Sequence, residues 1–118
     1  MRTISENEFE FLVGVESVSG QNLQLLGLSR TSVVEPMADG DMGSIRFASC
    51  SNSDEPRSLG RTIVQGEFDD SDDVLVSFTI TVDNNKELFE LDLWRVDFEP
   101  LQSLPAKADQ IRFSPVSS

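Results

Sequence analysis

The chain has 118 residues, a formal net charge of −12, 38 % apolar residues including eight Phe and one Trp, a single Cys, and neither His nor Tyr. That is enough apolar material for one modest core, so wholesale disorder is excluded and a single domain over residues 1–118 is expected. Without His, and with Cys50 alone, the chain lacks a Ser–His or Cys–His pair, a structural zinc set, an internal disulfide and any Walker or Rossmann glycine loop.

No apolar run approaches the ~20 residues of a membrane span. The opening Met1-Arg2-Thr3-Ile4-Ser5-Glu6 is wrong for a signal or transit peptide, and the single Cys50 fits a reducing cytoplasm, so a cytoplasmic protein without membrane contact is expected. Ser5 and Glu8 have capping-box spacing, Ile4 and Phe9 take the staple positions, and Glu6 and Glu8 suit the positive end of a helix dipole. These signals predict a helix to about Val18, with Phe11, Leu12, Val15 and Val18 on one stripe and Ser19-Gly20 ending it. A rival period-2 reading also exists, in which Phe9, Phe11, Val13 and Val15 alternate as a strand. Asn22 to Leu28 predicts a short second helix, completing a helical unit over about 5–28.

From there the chain reads as strands. Thr31 to Met37 is β-branched and stops near Pro36, which predicts a short or edge strand; Met37 to Gly43 is turn-rich; Ser44 to Ser49 follows as the second strand. Cys50 to Gly60 is a polar loop, and Arg61 to Phe68 a third strand with Thr62, Val64 and Phe68 on one face. Val74, Val76, Phe78, Ile80 and Val82 alternate with Ser77, Thr79 and Thr81, the clearest strand in the sequence. Asp83-Asn84-Asn85-Lys86 carries hairpin chemistry, and Glu87 to about Phe98 is the return strand. The expected architecture is α+β: an N-terminal helical unit packed on an antiparallel meander of about five strands over 31–98, then a C-terminal coil over 100–118.

Eleven acidic residues fall between Glu67 and Glu99, opposed only by Lys86 and Arg95. An acidic sheet surface is a poor match for nucleic acid or anionic membrane and a good one for a basic protein. The Asp69–Asp73 run lacks EF-hand spacing, as does Asp39-Gly40-Asp41; both read as turns, and no metal site or cofactor is expected. Cys50 has no adjacent cation to activate it. On the return strand Phe89, Leu91 and Leu93 share the core face, while Glu90, Asp92 and Trp94 share the other, about 7 Å apart per two-residue step. Three readings of that outer face stand side by side. It is an ordinary solvated face, a binding face with Trp94 as aromatic anchor, or a carboxylate pair for acid–base work. Asp70, Asp72 and Asp73 of the acidic turn join Glu90, Asp92 and Trp94 as candidate partner contacts, and no residue is nominated as catalytic.

Two segments, "MADGDMGSIRF" (Met37 to Phe47) and "ELFELDLWRVDFEPL" (Glu87 to Leu101), cover about a quarter of the chain. They resemble the DGGMGS-like loop and ELDIWKVDFSPL-like strand of a small uncharacterised bacterial family, with Asp41 where that family more often has Gly. Such domains resemble the small acidic cytoplasmic immunity proteins encoded beside polymorphic and contact-dependent toxins. The resemblance implies an inhibitor of a cognate toxin. With the local acidic surplus and the missing catalytic repertoire, the leading expectation is a non-enzymatic protein, monomeric or weakly dimeric, whose partner is a basic toxin domain such as a nuclease. The alternatives are a small carboxylate-based enzyme or ligand-binding domain centred on Glu90 and Asp92, and a structural or regulatory interaction module.

Overall fold

In the computed structural model, which describes residues 2–38, 42–48, 57–105 and 108–114, the Ser5 capping box is closed on both sides. The Glu8 amide donates to Ser5 Oγ at 3.2 Å and the Ser5 amide to Glu8 Oε1 at 2.9 Å. Helix α1 (Glu6–Ser19) follows and ends at Gly20, so the strand alternative for this segment is set aside. Phe11, Leu12 and Val15 are buried as the stripe predicts, but Val18 is exposed, on the rim of an open groove it shares with Ile63 and Val64 of the sheet. The expected second helix is instead a turn. Leu23 O accepts from the amides of Leu26 (3.1 Å) and Leu28 (3.0 Å), and Gly27 at φ 116° prevents a further helical turn.

Among the described residues seven strands, all paired antiparallel, form one sheet, rather than the expected five or so. They are β1 (Arg2–Thr3), β2 (Val33–Pro36), β3 (Ile45–Phe47), β4 (Leu59–Asp69), β5 (Leu75–Asp83), β6 (Leu88–Arg95) and β7 (Arg112–Ser114), in the order β1-β2-β3-β6-β5-β4-β7. The meander holds for β4, β5 and β6. It fails at β3, which pairs with β6 instead of β4. The two additions are the terminal strands, each too short to leave a periodic signal. The expected C-terminal coil contains a 3-10 turn (Ala108–Gln110) and then β7, seated on β4. The polar loop is also shorter than predicted, since Leu59 and Gly60 already belong to β4. Asp39, Gly40, Asp41 and Cys50 lie outside the described residues.

Alternation sorts the sheet into two faces. Val76, Phe78, Ile80 and Val82 of β5 and Leu91 and Leu93 of β6 are buried on the face that carries α1, and Phe11 meets Phe68 and Phe78 edge-on at centroid distances of 5.5 and 5.3 Å. Two bulges move residues off their predicted faces. In β4 the register slips between Thr62 and Val64, which buries Ile63 as well and leaves Thr62 opposite Thr81 on the outer face. In β6 it slips beside Glu90, so Phe89 leaves the core and lies under the guanidiniums of Arg46 and Arg57, at 5.1 and 4.9 Å.

Candidate functional site

The strand period of β6 puts Glu90, Asp92 and Trp94 on the outer face, opposite Thr81, Thr79 and Ser77 of β5. They differ in what they offer a partner. Glu90 is mostly enclosed, its carboxylate held by the Nε and Nη2 of Arg46 from the facing position on β3. Asp92 is exposed and accepts one hydrogen bond, from the hydroxyl of Ser44 at 3.1 Å. Trp94 is 50 % exposed, and its indole lies 5.9 Å from the ring of Phe98, itself 67 % exposed. Val96 and Glu99, their neighbours in sequence, are exposed as well.

Phe98 was not singled out by sequence reasoning. Its position depends on the chain reversing after Arg95, where the Phe98 amide donates to Arg95 O at 3.0 Å and Phe98 takes φ 61°. A bulky non-glycine residue in that region is strained, and such strain concentrates where a surface does something. The structure spends conformational energy to hold an aromatic ring in solvent beside Trp94.

On the other side of β6 from Trp94 is a part-buried charge cluster that the sequence reading did not single out. Arg95 is in phase with Leu91 and Leu93, so it had to enter the interior and find partners there. All five of its N–H donors are used. Nε and Nη2 reach Asp97 at 2.7 and 2.8 Å, Nη1 and Nη2 reach Asp72 at 3.1 and 2.7 Å, and Nη1 reaches Asp70 at 2.7 Å. The guanidinium holds the Asp97 carboxyl down at about 2, and the three carboxylates raise the pKa of Arg95. Burial pushes Asp70 up, but the amides of Gln102, Ser71 and Ser103 and the Arg95 guanidinium outweigh it, so its pKa is lowered.

The acidic turn therefore does not face outward as a unit. Asp70 is fully buried and offers nothing to a partner; it ties the segment after β6 to the sheet. Asp72 is partly exposed but committed to Arg95, and only Asp73 projects freely from the turn, at φ 66°. A second buried pair at the far end of the sheet escaped sequence reading. Arg57 Nε donates to Asp83 at 2.8 Å and its Nη2 to Leu88 O at 2.9 Å, pinning the end of the polar loop to the β5–β6 hairpin. Among the described residues no group of His, Cys, Asp and Glu is placed to hold a metal ion, and no helix is long and apolar enough to cross a membrane.

No curated protein and no solved structure matches the chain. A family described as "Domain of unknown function (DUF6984)" matches residues 1–105, a stretch that contains α1, strands β1 to β6, Trp94, Phe98 and the Arg95 cluster. With so much of its length matched, the chain belongs to the DUF6984 family.

Proposed function

We propose that this protein is a cytoplasmic immunity-type inhibitor that binds a basic toxin domain through the outer face of β6, with Trp94 and Phe98 at the centre and Asp92 and Glu99 at the rim. The observation that carries this reading is the half-exposed Trp94 in tilted contact with a strained, exposed Phe98, next in the chain to the Arg95 charge cluster. Aromatic anchors on a preorganised support are what concentrates binding energy, and peripheral carboxylates accelerate encounter with a basic surface. Glu90 contributes less than its sequence position suggested, because Arg46 already neutralises it.

The test is co-expression with the product of the neighbouring gene. A stoichiometric complex is expected, with an association rate that falls as salt rises. Trp94→Ala should weaken the complex at least tenfold, a change of about 1.4 kcal/mol. Failure to form any complex, or unchanged affinity in Trp94→Ala, would remove the reading. The exposed apolar residues Trp94, Val96 and Phe98 also favour an interaction module with no charge requirement. Salt separates the two, since association of such a module is insensitive to it.

A further inference from the structure

The opposite edge of the sheet has a separate feature. β7 adds to β4 through three register pairs, Gln65 with Ser114, Gly66 with Phe113 and Glu67 with Arg112, although β4 is eleven residues long. Its side chains alternate in what they need. Ile111, just before the strand, is buried; Phe113 packs edge-on against Phe78 at 6.3 Å. Between them Arg112 turns outward, its Nε 3.2 Å from Glu67 and its Nη atoms 3.3 Å from Asp69. Gly66 makes the approach possible: a Cβ there would stand 2.4 Å from Arg112 O and 3.0 Å from the Phe78 ring.

Among the described residues the fit is incomplete: the Arg112 ion pairs are half-exposed, which makes them weak, and a groove of about 380 Å³ lined by Val18, Ile63, Val64 and Phe113 lies beside the strand. β7 also lies beyond residue 105, where the family match ends. Upstream of it, Ser103 is held by Asp70, Leu104 packs against the core and the 3-10 turn lies beside α1.

We propose that the β4 edge is a strand-addition site for an extended apolar–basic–apolar segment of a partner protein, and that β7 occupies it in cis until such a segment displaces it. Backbone pairing along the edge supplies affinity, and the apolar seats of Ile111 and Phe113 flanking the Glu67–Asp69 pair supply selectivity. The site is distinct from the Trp94 face and does not depend on the reading given above.

The experiment uses the full chain and a fluorescein-labelled peptide of residues 109–114, Asp-Gln-Ile-Arg-Phe-Ser, beside the same peptide carrying Arg112→Glu. In the full chain, Arg112→Glu with Phe113→Ser should release the tail, so this variant should bind the native peptide about tenfold tighter than wild type and ignore the charge-reversed one. The Trp94 near-ultraviolet signal checks that it stays folded. A second variant, Glu67→Lys with Asp69→Lys, alters only part-exposed side chains and should invert the preference between the two peptides. Equal binding of both peptides by the two variants, or no binding to either folded variant, would overturn the proposal.

Discussion

Arg95 shows how poorly a count of charges along the chain describes the folded surface. Its three carboxylate partners come from both sides of β5 and β6, and Arg46, Arg57 and Arg112 draw Glu90, Asp83, Glu67 and Asp69 into further pairs. Most of the acidic stretch is thus matched within the molecule, and Asp73, Asp92 and Glu99 remain among its outward-facing charges. The Arg95 cluster has a defined acid response. Asp97 sits at about 2 when folded, against an ordinary aspartate value near 3.9, so it contributes stability that is complete above the unfolded value and lost as pH falls through the folded one. Asp97→Asn should therefore be less stable than wild type by a constant margin above about pH 5, and that margin should close between about pH 4 and pH 2. Urea unfolding of both proteins across that range checks it. Taking the difference cancels the long-range repulsion that acid relieves in both, and a margin that widened on acidification would contradict the assignment. Phe98 allows a similar subtraction. Phe98→Gly and Phe98→Ala both remove the ring, but only glycine accepts φ 61° freely, so the Gly variant should be the more stable by about 1 kcal/mol. Equal stability would mean that the backbone there carries no strain.

The elements differ in how openly the sequence announced them, and the difference follows the range of the interactions that build each one. Helix α1 is declared by contacts three residues apart, and its cap is the kind of local bond that pattern reading catches. Ser5→Ala should cost about 1 kcal/mol in a urea unfolding experiment, because the Glu8 amide loses its acceptor while the Glu8–Arg2 pair stays intact. A loss near zero would show that the cap is redundant with that ion pair. β5 is equally legible, since it is long, lies inside the sheet and alternates without a break. The bulges at Ile63 and Phe89 were not legible, because a register slip is decided by the neighbouring strand. β1 and β7 were missed for the same reason: two and three residues have no period of their own and become strands only by pairing with β2 and β4. Of the candidate site, the Glu90–Asp92–Trp94 face followed from period two. Phe98 depended on a backbone reversal, and the inward turn of Asp70 on a guanidinium 25 residues away.

At the scale of the whole molecule, a formal charge of −12 on 118 residues sets long-range self-repulsion against the local pairs. The two contributions respond differently to salt. The buried pairs, Arg57 with Asp83 and Arg95 with Asp70, are shielded from mobile ions and should change little at moderate ionic strength. Exposed pairs such as Arg30 with Glu6, and Arg112 with Glu67, are readily screened but contribute only ~0–1 kcal/mol each, so their weakening costs little. What remains is the repulsion among unmatched acids, which acts over distances longer than the roughly 8 Å Debye length of physiological salt and is largely removed there. Raising sodium chloride from about 10 to 150 mM should therefore raise the thermal midpoint of the isolated protein by a few degrees. The same screening should slow its association with a basic partner. The two slopes, measured by thermal denaturation and by stopped-flow mixing, should have opposite signs because one field causes both. A midpoint that fell with salt would mean that the exposed pairs outweigh the repulsion, and the acidic surplus would then be a structural network rather than a feature directed at a partner.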